Sequence, residues 1–149
     1  MEENDLLYKI RGAIYDTYYS LGPGLLEKVY EEVLCYCLEK RGLKTERQVK
    51  VPIIYDGKKL CTPLYIDILV NREIIIELKA VKDMCELYQA QLLTYLKLTG
   101  LHRGILVNFN TLDINKSIQN IVNGYTRRTL DESANSTTIN HIHKTPPTT

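Results

Sequence analysis

The sequence of 149 residues contains no tryptophan and a single phenylalanine, and it has no excess of charge of either sign. It lacks the roughly 18 consecutive apolar residues that a membrane-spanning helix needs, and it opens on an acidic stretch, unlike an export signal. Lys and Arg number 19 against 18 Asp and Glu, a net charge of +1. We therefore expect a soluble, cytoplasmic protein with no membrane partner, in which any nucleic-acid binding comes from a local patch.

The signatures of zinc and disulfide chemistry are missing as well. The four cysteines form no CxxC pair and have no histidine at the spacing of a zinc site. We expect them to stay reduced and to act as small hydrophobic side chains. They are Cys35, Cys37, Cys61 and Cys85.

Apolar residues at helical spacing predict two helices at the start of the chain, over residues 5–20 and 25–41. Asp5 is expected to cap the first helix, and Gly42 to end the second. The predicted buried stripe of the second helix consists of Leu26, Val29, Tyr30, Val33, Leu34, Cys37 and Leu38. Its predicted polar face carries Glu27, Lys28 and Glu31.

Three strands are predicted next, because the hydrophobic period changes from helical to alternating. The first covers residues 46–55 and ends at an Asp56-Gly57 hairpin, and the second covers 59–70. The third covers 73–80 after a turn at Asn71-Arg72. Its run of three isoleucines does not alternate, which is typical of a strand at the centre of a sheet.

The remaining chain predicts a helix over residues 84–99, a buried strand over 104–109 and a last helix over 113–125 capped by Asp113. Residues 126–149 hold nine Ser or Thr and few apolar residues, so we expect a disordered tail after a single domain of residues 1–125. Hairpins require antiparallel pairs and the strand–helix–strand passage a parallel one. The predicted fold is α/β, with a mixed four-stranded sheet flanked by helices.

Acidic residues and one lysine converge on the predicted sheet centre. Glu77 and Lys79 are two residues apart on one strand and therefore project to the same face, and the turn places Asp67 roughly opposite Glu77. Charges in such apolar surroundings are costly, and one lysine cannot balance Asp67, Glu77 and the helical Glu27. A divalent cation such as Mg²⁺ or Mn²⁺ would complete the site and activate water for phosphodiester hydrolysis.

Asp67 followed by Glu77-Leu78-Lys79 resembles the PD-(D/E)XK nuclease signature, with Ile66 in the place of the proline. The segment from Gly24 to Tyr30, GLLEKVY, is similar to the motif of the GxxExxY proteins of that superfamily. The resemblance covers about residues 5–125 and implies a restriction-endonuclease-like αβββαβ core. It also implies a nuclease acting on nucleic acid, with DNA the expected substrate.

The resemblance implies that Asp67 and Glu77 are metal ligands, that Lys79 is the catalytic lysine and that Glu27 is an additional acid at the metal. Gln91 resembles an accessory glutamine that faces the same site. Each residue also has an ordinary interpretation: Glu77 and Lys79 as a solvent-exposed ion pair, Glu27 as an acid favoured at a helix start, and Gln91 as part of a core network.

Candidate nucleic-acid contacts are Tyr30, Tyr95, Arg47 and Lys50. Packing is the competing interpretation for the two tyrosines, and edge-strand charge for the basic residues. Two further hypotheses concern the whole protein. It could be a catalytically weak or inactive module of nuclease fold that binds nucleic acid or protein, and catalysis could require a homodimer.

Overall fold

The structure, a computed structural model, describes residues 1–124 and 129–130, and the backbone of residues 137–138. In these residues the helices are α1 (Glu3–Leu21), α2 (Glu27–Lys40) and α3 (Glu86–Thr99), with a 3₁₀ turn at Ile114–Ser117. The strands are β1 (Thr45–Val51), β2 (Ile53–Tyr55), β3 (Lys58–Lys59), β4 (Leu64–Val70), β5 (Ile74–Lys79), β6 (Arg103–Asn108), β7 (Ile118–Val122) and β8 (Thr137–Thr138).

The main sheet has five strands in the order β1-β4-β5-β6-β7. Its strand pairs are antiparallel except β5 with β6, which run parallel because α3 connects them. Without the small excursion of β2 and β3, the chain follows the order α2-β1-β4-β5-α3-β6. This is the αβββαβ order, and a mixed sheet flanked by helices is consistent with a restriction-endonuclease-like core.

The main sheet has one strand more than predicted, because the described part of the helix predicted over residues 113–125 is not α-helical. Asp113 does accept a hydrogen bond from the backbone of Asn115, but only a single 3₁₀ turn follows. The chain then pairs antiparallel with β6 as β7. Ile and Val favour a strand, and Asn is a poor helix former, so pairing with an otherwise open edge of β6 outweighs helical periodicity.

The strand predicted over residues 46–55 is interrupted at Pro52, which has no N–H to donate to a sheet. β1 therefore ends at Val51 and pairs directly with β4. The Asp56-Gly57 hairpin is confirmed, with φ of 51° and 74° at its two residues. It joins β2 to β3 in a separate small sheet and not β1 to β4.

Two hydrophobic cores lie on opposite faces of the sheet. On one face α1 and α2 cover Ile68, Ile76 and Val107. On the other face α3 packs Leu92 and Leu96 against residues of β4, β5 and β6. The site described below lies between these two cores, where β4 and β5 separate.

The first two helices differ from prediction in what they bury and how they start. α1 begins at Glu3, and its N-cap residue makes no side-chain capping bond, so Asp5 lies inside the first turn. In α2 the buried residues are Tyr30, Glu31, Leu34, Cys35 and Leu38. Leu26 is 78% exposed and Val29 is 37% exposed, so the predicted stripe is wrong by part of a turn.

No helix in the described part of the chain combines the length and apolar character that crossing a membrane requires. All four cysteines are free. The disorder predicted for residues 126–149 lies almost wholly outside the described residues, and the proposed domain boundary at residue 125 stays a prediction. Leu130 is described: its N–H donates to the carbonyl oxygen of Arg72, at 2.6 Å.

Candidate active site

β4 and β5 are connected by a turn that sets the register predicted from the sequence. Asn71 and Arg72 both have positive φ, and the ladder pairs Ile68 with Ile76. One step further along this register brings Asp67 opposite Glu77. The two acidic residues therefore meet on neighbouring strands, as the sequence predicted.

At this position carboxylates replace the backbone ladder. The N–H of Asp67 donates to Oε1 of Glu77 at 3.1 Å, and the N–H of Leu78 donates to Oδ2 of Asp67 at 3.1 Å. Each acid thus accepts a bond from the strand that carries the other. The paired ladder of β4 and β5 ends at Ile68 and Ile76, and beyond it the two carboxyl groups accept the backbone bonds.

The two carboxyl groups repel each other as charges. Glu77 is only 5% exposed. Burial raises the pKa of Glu77 well above its ordinary value, and the charge of Asp67 raises it further, while Lys79 acts in the opposite direction. Without a bound cation the site therefore favours a proton on Glu77.

Lys79 lies at the end of β5, two residues beyond Glu77 and on the same side of the strand. Its ammonium group is 4.5 Å from the ring centroid of Tyr88 on α3, a cation–π contact. The carbonyl oxygen of Lys79 accepts a bond from the N–H of Phe109. The lysine is therefore fixed at its backbone by β6 and at its tip by α3.

Glu27 begins α2 and is half-buried near the same charges. Its pKa is raised by burial first and then by Asp67, whereas Lys79 lowers it. These opposing influences show that Glu27 is within electrostatic range of the acid pair and of the lysine. Glu27 does not form part of the hydrogen-bonded pair itself.

Tyr30 fixes the start of α2 from inside the protein. Its hydroxyl donates to the carbonyl oxygen of Gly22 at 2.6 Å and accepts from the N–H of Leu25 at 3.1 Å. Its ring stacks on Phe109 with centroids 4.7 Å apart. Since Tyr30 is fully buried, its predicted contact with nucleic acid is wrong for this structure, and it instead holds the loop that positions Glu27.

Gln91 and Tyr95 lie one turn apart on α3. The side-chain N–H of Gln91 donates to the hydroxyl of Tyr95 at 3.0 Å. Burial raises the pKa of Tyr95, and the charge of Glu77 raises it further. Gln91 is exposed, so the core-network interpretation fails, and Tyr95 is the member of this pair that faces the carboxylates.

The two basic candidates differ in what their charges contact. Arg47 binds the carboxylate of Glu31, with Nε 3.1 Å from Oε1, although its side chain remains 41% exposed. Lys50 is exposed and forms no ion pair with any other residue that the structure describes. Of these two candidates, Lys50 is therefore the one whose charge is not balanced by a described acidic residue.

Sequence reasoning placed Glu31 on the polar face of its helix and Gln48 on the outward face of its strand, and it assigned neither to the site, yet both support it. Glu31 is 1% exposed, and its Oε2 accepts from Nε2 of Gln48 at 2.9 Å. The same Nε2 lies 3.3 Å from Oδ1 of Asp67. One signal for Glu31 was available, since it is one turn after Glu27, but nothing local indicates Gln48.

The donor set of the acid pair suits a divalent cation, because two hard carboxylates lie together on neighbouring strands and Glu77 is buried. Asp67 and Glu77 are the residues that would hold it. Within residues 1–124 and 129–130, however, no group of three or more His, Cys, Asp or Glu side chains is arranged to hold a metal ion. Glu27 as a third ligand of the cation stays a prediction.

A sequence model of the PD-(D/E)XK nuclease superfamily matches residues 4–121. This stretch is most of the chain, and the protein belongs to that superfamily. No curated protein and no solved structure matches the chain significantly.

Proposed function

We propose that the protein is a Mg²⁺- or Mn²⁺-dependent nuclease of the GxxExxY type that hydrolyses phosphodiester bonds in DNA. One observation carries the proposal: two carboxylates replace the ladder between β4 and β5, with a fixed lysine beside them. Superfamily membership supports the nuclease class and nucleic acid as substrate, and PD-(D/E)XK nucleases generally use divalent metal ions. The four free cysteines agree with a cytoplasmic location.

The residues divide the chemical tasks between them. Asp67 and Glu77 would hold the cation, which when bound supplies charge neutralisation and activation of water. Lys79 presents a compact ammonium group at the same face, suited to orient the attacking water and to stabilise negative charge on the phosphate. Glu27 extends the acidic cluster on the helix side, where Tyr30 fixes it.

Substrate contact is proposed for the exposed Lys50 and the half-buried Tyr95, and for Arg47 where it faces solvent. A nucleic-acid strand next to the acid pair would bring its phosphate close to Lys79. Dimerisation stays a prediction, and sedimentation of the active protein tests it: a fully active monomer would contradict it.

The test compares wild type with Glu77→Ala and with Glu32→Ala, an exposed acid of α2 that serves as a matched control. Single- and double-stranded DNA and RNA are incubated with Mg²⁺, Mn²⁺ or EDTA. We expect metal-dependent cleavage of DNA by wild type and by Glu32→Ala, with none by Glu77→Ala. Binding of nucleic acid without cleavage in any metal would contradict the proposal and favour the inactive module.

A further inference from the structure

Gln48 has a backbone conformation that a strand residue does not ordinarily adopt. It lies in the middle of β1, yet its φ is 48°, in the left-handed region that disfavours residues other than glycine, asparagine and aspartate. The β1–β4 ladder pairs Arg47 with Ile68 and Val49 with Ile66, and the position between them is missing. That missing pair is Gln48 with Asp67.

The turn at Gln48 changes which face of the sheet its neighbours occupy. Arg47 contacts Glu31 of α2, whereas Val49, two residues later, packs on the α3 side. In a regular strand these two residues would share a face. The irregular backbone thus brings the Gln48 side chain to the boundary between the two faces, where Asp67 lies.

The orientation of the Gln48 amide follows from its partners. Both neighbours of its nitrogen are carboxylate oxygens, one on Glu31 and one on Asp67. A nitrogen with two hydrogens can donate to both, whereas an oxygen in its place would face two acceptors. Gln48 is therefore the neutral connector between two acids, each of which has other partners: Arg47 and Lys28 at Glu31, and the Leu78 N–H at Asp67.

We infer that Gln48 is a positioning residue: anchored by the buried Glu31, its amide fixes the Asp67 carboxylate against the Leu78 N–H in the orientation needed to receive a cation. The inference adds a positioning residue to the proposed site, and it rests on the proposed function because that proposal supplies the cation. Strain at Gln48 is maintained because the side chain makes contacts that a relaxed strand residue could not reach.

Gln48→Gly tests this without disturbing the backbone. Glycine adopts positive φ freely, so the variant should unfold at the same urea concentration as wild type or higher, while the amide is lost. The exchange rate of the Leu78 amide hydrogen, measured in the metal-free protein, then reports on Asp67, because this N–H donates to the Asp67 carboxylate. The exchange rate of Ile76, on the same strand, is the internal reference. Calorimetric titration with Mn²⁺ gives an independent measure of cation binding.

We expect exchange at Leu78, relative to Ile76, to accelerate by about five-fold or more in Gln48→Gly. Mn²⁺ affinity should fall by about 10- to 100-fold, as for other residues that orient metal ligands. Lys50→Gly, an exposed position on the same strand, serves as control for loosening of β1 and should leave the Leu78 to Ile76 ratio at its wild-type value.

These measurements distinguish a failure of the inference from a failure of the proposed function. An unchanged Leu78 to Ile76 ratio in Gln48→Gly, or equal acceleration in Lys50→Gly, overturns the positioning role whatever the metal does. Unchanged Mn²⁺ affinity in Gln48→Gly, with tight binding by wild type, overturns it as well. Accelerated exchange in Gln48→Gly alone, with no Mn²⁺ binding by wild type, supports the positioning of Asp67 and contradicts the metal-dependent nuclease.

Discussion

The two ends of β5 are bonded to β4 in different ways. At Ile74–Ile76 the backbone forms a regular ladder with β4, and the side chains are at most 1% exposed. At Glu77–Lys79 the ladder with β4 is replaced by bonds to carboxylates. On its other edge β5 pairs with β6 along its whole length, up to Lys79 opposite Asn108.

This difference shows how a sheet can hold charged groups without losing its register. The aliphatic end and the continuous β6 edge fix the position of β5, so the β4 edge can open locally at the acidic end. The acids then satisfy the backbone groups that the opening exposes, which limits its cost. Stability and chemistry are therefore expected to respond separately to changes at the two ends.

The largest effect is expected at Lys79. In Lys79→Met, kcat for metal-dependent DNA cleavage should fall by about 10²- to 10⁴-fold, because the ammonium group that orients water is lost. Affinity for DNA and the free energy of unfolding should change little. Lys97→Met, an exposed lysine on α3, is the matched control and should cleave at the wild-type rate. Equal losses in binding and in rate would mean that Lys79 only contacts substrate.

At the aliphatic end, Ile75→Ala should destabilise the fold by about 2–5 kcal/mol, because it leaves a cavity between the sheet and α3. Urea unfolding measures this change. The fraction that remains folded should bind Mn²⁺ with wild-type affinity, since the bonds at Asp67 and Glu77 do not involve this side chain. A parallel loss of Mn²⁺ affinity in that fraction would show that the two ends are not independent.

The acid pair should also make stability depend on pH. The pKa of Glu77 in the folded protein lies above its ordinary value of 4.5, so between these two pKa values the folded state keeps a proton that the unfolded state has released. Unfolding then releases this proton, and stability falls as pH rises through that window, by at most about 1.4 kcal/mol per pH unit.

Glu77→Gln removes this titration and should flatten the metal-free dependence above pH 4.5, measured by urea unfolding at successive pH values. If wild type and Glu77→Gln had the same slope between pH 5 and 8, the Glu77 carboxyl group would not keep its proton in the folded state, and the prediction would be wrong.

The smallest effect concerns the loop before α2. Tyr30→Phe keeps the stack on Phe109 but removes the bonds to Gly22 and Leu25, and should cost about 1 kcal/mol of folding free energy. Leu26→Ala, at the exposed N-cap position of α2 where neither side chain can accept a capping bond, should change stability by less than about 0.5 kcal/mol. A larger cost at Leu26 than at Tyr30 would contradict the positioning of this loop by the tyrosine.

Much of the sheet was predictable because its determinants are local. A turn at Asn71-Arg72 and two strands of known length place Asp67 opposite Glu77, and the run of isoleucines indicates a strand covered on both faces. Prediction failed where a long-range partner decided the outcome. Residues 118–122 form β7 because the edge of β6 is available, and α2 buries Glu31 because Arg47 and Gln48 reach it from β1.

The sequence by itself determined the αβββαβ order of the core, the hairpin turns, the central strand and the acid pair with its lysine, because turn chemistry and the two-residue period of strands act over a few residues. Only the tertiary structure decided that Glu31 is buried, that Gln48 adopts positive φ and that Tyr30 points inward. Each of these depends on a hydrogen-bond partner or a packing surface supplied by a distant part of the chain, and no pattern within a single segment encodes that partner.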